Sequence, residues 1–210
     1  MLQIIVRDFA SPALLKNEDV AVPTITNDDV LLKVEATALG FVDGLMLQGR
    51  YQIKPPLPYV PGGEICGVVE EVGSNVTGVV PGDRVVTWQL GGGLAEYVRV
   101  PFREVQVVAS SLDPVSAAAM LVDYQTAHYA LVRRGSFVAG ETVLVLGAAG
   151  GVGSAAVQIA ARLGGKVIAA VSTAEKAERV RGLGAIEVIN SGTSGMSIRD
   201  QLKNRGLDGY

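Results

Sequence analysis

The feature that most limits what this chain can fold into is a glycine-rich turn that follows a short apolar run. Residues 142–146 read TVLVL, and residues 147–153 directly after them read GAAGGVG. Such a turn can simply connect a buried strand to a helix. It can also cradle the phosphates of a nucleotide, because glycine lets an anion approach the backbone closely. The pattern around the turn decides between these two interpretations.

Beyond residue 140 the sequence alternates between strand-like and helix-like segments. We predict strands over 142–146, 166–171 and 185–189, and helices over about 151–163 and 174–181. The predicted strands are apolar nearly throughout, which is typical of parallel strands that are covered on both faces. The glycine-rich turn is therefore predicted to lie inside a βαβ unit.

The predicted helix after the turn has an apolar face at helical spacing. The members of this face are Val152, Ala156, Ile159, Ala160 and Leu163. Gly164 and Gly165 then predict the end of the helix, where a residue in the left-handed conformation is common.

In this setting the turn fits the dinucleotide-binding pattern G-x-G-x-x-G. Gly150 and Gly153 take the second and third glycine positions, and Ala148 takes the first. The missing side chains would let a diphosphate approach, and the N–H groups at the helix start would face that anion. We therefore predict a cofactor-binding segment made of Ala149, Gly150, Gly151, Val152 and Gly153.

The end of the second predicted strand favours NADP over NAD. An NAD site usually has Asp or Glu there, about 20 residues after the glycines, to bind the ribose 2′-hydroxyl. Here the strand is followed by Ser172 and Thr173, with Lys176 close behind. A carboxylate would repel a 2′-phosphate, whereas hydroxyls and a lysine accept it. Alternatively, Ser172 or Thr173 only caps the next helix and Lys176 is a solvated surface charge; both interpretations can hold at once.

Residues 1–112 have a different character and are predicted to form a small β-rich barrel domain. Short apolar runs alternate there with Pro and Gly, at 3–6, 30–36, 65–72, 84–87 and 95–100. Two segments, EEVGSNVTGVVPGDRVV and QLGGGLAEYVRV, are typical of strand–turn–strand units. Asp113-Pro114 then predicts a helix start, and AAAMLVDYQTAHYALVRR predicts two consecutive helices. The second predicted domain is 113–210.

The composition excludes several classes of partner. The 210 residues carry a net charge of −3 without a block of Lys or Arg, so we predict no nucleic-acid partner. No apolar run approaches the roughly 18 residues needed to cross a bilayer, so we predict no membrane association. The start, MLQIIVRDFASP, lacks the pattern of a signal peptide, and a single cysteine fits the reducing cytoplasm, where we expect the protein.

The chain has one cysteine, Cys66, and one histidine, His128. Zinc sites need several such ligands at suitable spacing, so we predict a protein without zinc. Cys66 lies in the apolar run ICGVVEEV, where a buried hydrophobic role is favoured over that of a nucleophile. His128 is a candidate general acid, but its place inside a predicted helix favours a structural role.

These motifs, taken together, resemble the zinc-free medium-chain dehydrogenases/reductases of the quinone oxidoreductase (zeta-crystallin-like) family. The resemblance covers nearly the whole chain, through VDGLMLQGRYQIKPPLPYVPGGEICGVVEEVG, GDRV, GGGLAEYVRV, DYQTAHYAL, VLVLGAAGGVGSAAVQIA and VSTAEKAERVRGLGAIEVIN. It implies an α/β protein in which a GroES-like β-barrel domain is followed by a Rossmann domain. Only the first half of that doubly wound parallel sheet is expected in this chain, and the active site is expected in the cleft between the domains.

The resemblance also implies roles for individual side chains. Tyr124 matches a tyrosine that contacts the nicotinamide region, and Thr126 lies close to it in the sequence. Tyr51 matches a tyrosine near the active-site cleft, so Tyr51 and Tyr124 are the implied catalytic residues. Without the family, each tyrosine is better explained as an amphipathic residue at the edge of a core.

Zinc-dependent relatives carry Gly-His-Glu where this chain has Gly62-Gly63-Glu64, which agrees with the prediction of a protein without zinc. At two other positions the chain departs from the family pattern. Gly40 stands in place of an asparagine that helps to position the nicotinamide or the substrate, while Asp43 of the same segment is present. Ser191 stands in place of a tyrosine that helps to hold the adenosine phosphate. We retain Gly40 as a cofactor-binding position on the strength of the resemblance.

The family's Rossmann sheet continues beyond GLDGY, where this chain ends. In the complete sheet the strand at 142–146 would be central, so the absence of its neighbour would leave an apolar edge unpaired. We expect either that further residues complete the protein or that a partner chain covers this edge. The resemblance itself implies a homodimer.

The implied activity is hydride transfer from NADPH to a quinone or an α,β-unsaturated carbonyl, without zinc. Donors such as a tyrosine hydroxyl or a backbone N–H would stabilise the developing oxyanion. An enoyl-thioester reductase is an alternative that differs only in the acceptor. A non-catalytic NADPH-binding protein, like the lens crystallins of the family, is a second alternative that Gly40 favours, and an inactive fragment of an enzyme is a third.

Overall fold

The computed structural model describes residues 1–9, 15–192 and 195–206. The chain forms two compact units, Met1–Leu121 and Val122–Tyr210. The predicted boundary after residue 112 lies earlier, because helix α2 (Pro114–Ala119) packs within the first unit on β3 (Asp29–Ala38) and β4 (Glu64–Val72). Within the described ranges, no helix is long and apolar enough to cross a membrane.

The first unit is built on a five-stranded antiparallel sheet. To β3 and β4 it adds β5 (Arg84–Trp88), β6 (Tyr97–Pro101) and β7 (Val105–Val107), in the order β6-β3-β4-β5-β7. A separate antiparallel pair joins β1 (Leu2–Ile5) to β2 (Lys16–Asp19). Helix α1 (Phe41–Leu47) follows β3, and a short 3-10 helix (Phe102–Glu104) joins β6 to β7. The predicted apolar runs thus become strands, as expected.

One of the two predicted strand–turn–strand units is correct and the other is wrong. Strands β4 and β5 pair antiparallel, and Gly82 in their connection has a φ of 95°. Residues 89–100 do not form a hairpin, because β6 pairs with β3 instead of β5. The glycines of QLGGG instead bind a second loop through hydrogen bonds. The N–H groups of Gly92 and Gly93 donate to the carbonyl oxygens of Val60 and Gly62.

Alternating side chains of the sheet form the core of the first unit. One face buries Val30, Leu32, Ile65, Val69, Val85, Val98, Val100 and Val105. Cys66 points to the other face, where it packs with Val86 and with Ala117, Ala118 and Leu121 around α2. Cys66 is fully buried, as predicted, and burial raises the pKa of its thiol to about 11. The start of α2 is also as predicted, since the carboxylate of Asp113 accepts a hydrogen bond from the Ser116 N–H at 2.9 Å.

The second unit alternates helices and parallel strands. Helix α3 (Leu121–His128) leads into a π-helical turn (Tyr129–Arg134), and the alternating part begins after it. Its members are β8 (Thr142–Leu146), α4 (Gly151–Arg162), β9 (Lys166–Val171), α5 (Ala174–Gly182), β10 (Glu187–Asn190) and α6 (Ile198–Asn204). The sheet has the order β10-β9-β8 with both pairs parallel, which confirms the predicted βαβαβ arrangement.

Both faces of the parallel sheet are covered. Helices α4 and α5 enclose a core that includes Val145, Val167 and Val180, whereas Ile168, Ala170 and Ile189 on the opposite face pack against α6. Strand β8 forms an edge of the described sheet, and Leu144 and Leu146 on it are 38% and 63% exposed. The apolar edge expected for residues 142–146 is therefore present.

The apolar face predicted for α4 is only partly correct. Ala160 is fully buried in the sheet core and Ala156 packs against that core, as predicted. Val152 and Leu163 are instead 41% and 43% exposed, and Val157 is buried in the core. The reason lies in the first turn, where Gly153 packs so closely on the Gly147 carbonyl that a Cβ would overlap it. This contact fixes the helix with its Gly153 side on the sheet, roughly a quarter turn from the predicted face. The predicted helix end is correct, because Gly164 has a φ of 84°.

Candidate cofactor-binding site

The glycine-rich turn begins where β8 ends and bends sharply towards α4. Gly147 has a φ of 59°, in the left-handed region that favours glycine. The Ala148 N–H donates to the carbonyl oxygen of Ala170 on β9 at 3.2 Å, which ties the turn to the neighbouring strand. The Gly150 N–H donates to the Gly147 carbonyl oxygen at 2.9 Å, and Gly150 then caps the helix in an extended conformation.

The glycines of the turn leave backbone exposed where side chains would otherwise stand. A Cβ on Gly153 would overlap the Gly147 carbonyl, and one on Gly150 would lie 3.3 Å from the same oxygen. Helix α4 has no side-chain cap, and the first N–H groups of a helix have no acceptor within it. The N–H groups of Gly151 and Val152 therefore have no acceptor within the helix, which is what a diphosphate cradle requires.

A cleft of about 330 Å³ lies at the carboxyl ends of the parallel strands. Its lining residues are Gly147, Ala149, Gly150, Ala170, Val171, Ser172, Lys176, Ser191 and Ile198. Four of the predicted cofactor-binding residues thus lie on one cleft: Ala149, Gly150, Ser172 and Lys176. Gly151, Val152, Gly153 and Thr173 are not among its lining residues. The volume is at the lower end of small-ligand sites, which suits one end of a dinucleotide.

The rim of the cleft carries hydroxyls and a cation. The Lys176 ammonium donates to the Ser172 hydroxyl at 3.2 Å, and both side chains are exposed. Thr173 instead caps α5, because its hydroxyl oxygen accepts a hydrogen bond from the Lys176 N–H at 3.2 Å. The capping alternative therefore holds for Thr173. The residues that line the cleft include no Asp or Glu, so a 2′-phosphate would meet no like charge on its walls.

Sequence reasoning missed part of the lining. Ala170 and Val171 are the last residues of β9, and ligands of parallel sheets bind at the carboxyl ends of strands, so their position was a usable signal. Ser191 entered only as a departure from the family pattern. Its N–H and its hydroxyl both donate to the Val171 carbonyl oxygen, at 2.8 and 3.1 Å, so Ser191 holds the loop after β10 against the end of β9.

In the first unit, Gly40 begins helix α1 beside a buried carboxylate. The Gly40 N–H donates to Oδ2 of Asp43 at 2.8 Å, and the Gly62 N–H donates to Oδ1 at 3.2 Å. Asp43 is only 6% exposed, and it links the start of α1 to the segment 62–64. The sequence singled out Asp43 only through the family pattern; the contact with Gly62 is long-range and has no local signal.

Backbone closely borders the position at which zinc-dependent relatives carry a histidine. A Cβ on Gly63 would overlap the carbonyl oxygen of Gln89, so a histidine there would require the loop to move. Among the residues with described positions, no three or more His, Cys, Asp and Glu side chains come together as a metal ion would need.

The two implied catalytic tyrosines belong to different units. Tyr51 packs, half-buried, against the cluster of Val6, Met46 and Tyr59 in the first unit. Tyr124 is half-buried and Thr126 is exposed on α3, in the second unit. His128 is exposed at the end of the same helix.

Known family models match residues of both units. The alcohol dehydrogenase GroES-like domain model matches residues 26–111, and the zinc-binding dehydrogenase model matches residues 151–210. The latter residues contain neither His nor Cys. Human quinone oxidoreductase is 41% identical over 192 residues, which cover 90% of this chain. The chain belongs to the quinone oxidoreductase family of medium-chain dehydrogenases/reductases. Its first unit is therefore a GroES-like domain, and its second unit carries part of a Rossmann domain.

The family members that it matches are longer than this chain. It spans 58% of the human protein. A solved structure of the Thermus thermophilus quinone oxidoreductase, described alone and in complex with NADPH, has a TM-score of 0.84 and 35% identity over 98% of this chain and 64% of its own. The NADPH-dependent alkenal/one oxidoreductase of Arabidopsis thaliana chloroplasts is 39% identical over 190 residues, which cover 85% of this chain and 49% of that protein.

Proposed function

We propose that this chain provides the GroES-like domain and the NADP-binding part of a zinc-independent reductase. The reductase transfers hydride from NADPH to a quinone or an α,β-unsaturated carbonyl. The observation that carries this proposal is the cleft that joins the glycine-rich turn to Ser172 and Lys176 without an acidic side chain. The NADPH complex of the Thermus relative and the alkenal/one activity named for the Arabidopsis relative support the cofactor and the acceptor class.

The cofactor would lie along the carboxyl end of the parallel sheet. The backbone of residues 149–153 would hold the diphosphate, because its N–H groups stand at the positive end of α4. Ser172 and Lys176 would hold the 2′-phosphate, and Thr173 would support them by fixing the first turn of α5. NADPH, when bound, supplies the hydride.

The protein's share of the chemistry is to position the acceptor and to stabilise charge on its oxygen. Tyr51, Tyr124 and Thr126 are the proposed hydroxyl donors, and Gly40 marks the proposed nicotinamide end of the site. A conjugated acceptor suits such donors, since the negative charge forms on an oxygen away from the attacked carbon. Simple alcohol oxidation suits them less, because alkoxide formation needs a metal or a dedicated base.

Zinc independence is part of the proposal. It is supported by Gly63, whose position lacks room for a side chain, and by Cys66, which is fully buried. A homodimer in a reducing cytoplasm completes the proposal. The homodimer rests on the resemblance to the family, and the single cysteine fits a reducing compartment.

Substitution of the lysine on the cleft tests the cofactor assignment. Lys176→Ala should weaken NADPH binding about tenfold and leave NADH binding unchanged, because only NADPH carries the 2′-phosphate. The measurement is a titration of NADPH fluorescence. Lys16→Ala is the matched control, since Lys16 is an exposed lysine of the first unit on β2. Equal losses for NADPH and NADH, or an effect of the control variant, would contradict the assignment.

A second candidate function is binding of NADPH without turnover, and Gly40 is the observation that favours it. Gly40 offers no side chain to position nicotinamide or substrate, and its N–H is already bonded to Asp43. Consumption of NADPH with a quinone, a small enone and an enoyl thioester separates the candidates. Turnover with the first two supports the main proposal, turnover with the thioester alone supports an enoyl-thioester reductase, and binding without turnover supports the second candidate.

A further inference from the structure

An acidic side chain stands at the start of the helix that the cofactor diphosphate would approach. Asp123 lies in the first turn of α3, and its carboxylate contacts the main chain of Gly151, the first residue of α4. A Cβ on Gly151 would overlap the carboxylate, and the three heavy atoms nearest to that point all belong to Asp123. The Asp123 carboxylate therefore lies directly beside the backbone of residue 151, and a larger residue at 151 would require that carboxylate to move.

Within the described residues, no charged side chain is paired with the Asp123 carboxylate. The turn and the first two thirds of α4, residues 147–158, contain no charged side chain at all. On α3 itself the other titratable side chains are Tyr124 and His128, and neither forms a hydrogen bond or ion pair with Asp123 in the described structure. Burial raises the pKa of the Asp123 carboxyl, with no charged neighbour contributing to that shift. The carboxylate is thus partly removed from water and is not neutralised.

The start of α4 attracts any anion, and Asp123 already stands beside it. A helix N-terminus has the effect of roughly half a positive charge, concentrated in its first turn. A diphosphate held by the N–H groups of Gly151 and Val152 would lie within a few ångströms of the Asp123 carboxylate. Like charges at that separation repel each other appreciably in a partly desolvated site.

We propose that the Asp123 carboxylate opposes the diphosphate of the bound dinucleotide and so lowers the affinity of this protein for its cofactor. This inference rests on the proposed function, because it assumes a dinucleotide at residues 149–153. Its consequence is faster dissociation of the cofactor, since a repulsive contact in the bound state raises the dissociation rate. Asp123 is an affinity-setting residue here, with no part in the hydride transfer itself.

The test compares the native chain with Asp123→Asn, which keeps the shape of the side chain and removes its charge. We expect NADPH to bind about five- to tenfold more tightly to the variant, as measured by fluorescence titration. Adenosine 2′-monophosphate, which lacks the diphosphate, should bind both proteins equally. The difference for NADPH should shrink as salt is raised from about 0.02 to about 0.5 M, because salt screens the repulsion.

Each alternative result has a distinct meaning. If the native chain binds NADPH and Asp123→Asn binds it equally or more weakly, the inference is overturned and the proposed function stands. If neither protein binds NADPH, the proposed function fails together with the inference. Tighter binding of adenosine 2′-monophosphate as well would indicate a rearranged cleft and would also overturn the inference.

A second variant separates charge from volume. Asp123→Ala should tighten NADPH binding to the same extent as Asp123→Asn. If circular dichroism shows that the asparagine variant does not fold, the alanine variant provides the test in its place. Tightening by alanine alone would show that the side chain acts by occupying space, which contradicts a charge effect.

Discussion

The two units use glycine-rich segments in opposite ways. In the second unit, the first N–H groups of α4 have no acceptor inside the helix, as at any helix start, and the glycines at 150, 151 and 153 add no side chains of their own beside them. In the first unit, the N–H groups of Gly92 and Gly93 are already bonded to the carbonyl oxygens of Val60 and Gly62, at 2.7 and 2.8 Å. The same residue type thus borders exposed backbone in one place and joins two loops through hydrogen bonds in the other. The partners of the N–H groups, more than the glycines themselves, indicate a binding site.

The largest expected effect concerns Gly153, which packs against the Gly147 carbonyl in the glycine-rich turn. Gly153→Val should destabilise the protein by about 3 kcal/mol or more and abolish NADPH binding, because its Cβ would overlap the Gly147 carbonyl. Urea denaturation provides the measurement. Gly182→Ala at the end of α5 is the matched control, since a Cβ there meets nothing within 4 Å, and it should be neutral or stabilising by up to about 1 kcal/mol. If Gly153→Val were as stable in urea as Gly182→Ala and still bound NADPH, the close contact between Gly153 and Gly147 would not matter for the turn.

The tight packing of the first unit also predicts an unreactive Cys66 thiol. Burial raises the pKa of Cys66 to about 11, so the neutral thiol is favoured in the folded protein well above pH 8. Alkylation by iodoacetamide at pH 8 should be at least about a hundredfold slower in the folded than in the urea-unfolded protein, and it should accelerate as the pH rises towards 11. Labelling at equal rates in both states would show that this core is open.

A histidine at position 63, beside the Gln89 carbonyl, should not create a zinc site. Gly63→His should destabilise the protein by roughly 2 kcal/mol, because its Cβ would overlap the Gln89 carbonyl, and it should bind no zinc in a metal titration. Gly44→Ala on α1, where a Cβ has nothing within 4 Å, is the control and should not destabilise. Stoichiometric zinc binding by the histidine variant would contradict this account of the loop.

The smallest effect concerns two threonine hydroxyls of the first unit. The Thr37 hydroxyl donates to the Gly93 carbonyl oxygen at 2.7 Å, whereas the buried Thr87 hydroxyl has no partner in the described residues. Thr37→Val should destabilise by about 1 kcal/mol, and Thr87→Val should be neutral or stabilising by up to about 1 kcal/mol. Thermal denaturation compares the two variants, and an equal loss in both would mean that Thr87 has a partner.

Local patterns predicted much of the second unit. Strands 142–146 and 166–171 were predicted with their observed bounds, and the cap at Asp113 is as predicted, because apolar runs and capping side chains are properties of neighbouring residues. The predicted face of α4 was right at Ala156 and Ala160 but wrong at Val152 and Leu163, because it depends on a contact between Gly153 and the Gly147 backbone that a count of apolar side chains does not include. The supposed hairpin at 89–100 failed for a related reason: the partner of β6 is a strand far away in the sequence.

The candidate site shows the same division. Ser172 and Lys176 could be selected from their place after a strand, and both line the cleft. Asp123 could not, because its contact with Gly151 joins two helices and neither residue carries a local signal of it. The contact between Gly63 and the Gln89 carbonyl could not be predicted for the same reason, because the two positions are far apart in the sequence.

The most direct test of the central claim is a titration of the native chain with NADPH and with NADH under the same conditions. The open turn and the cleft around Ser172 and Lys176 predict saturable binding of both, with NADPH bound at least about tenfold more tightly because of its 2′-phosphate. Binding of NADH as tight as that of NADPH would contradict the role of Ser172 and Lys176. Absence of saturable binding for both would contradict the assignment of residues 147–153 as a dinucleotide cradle.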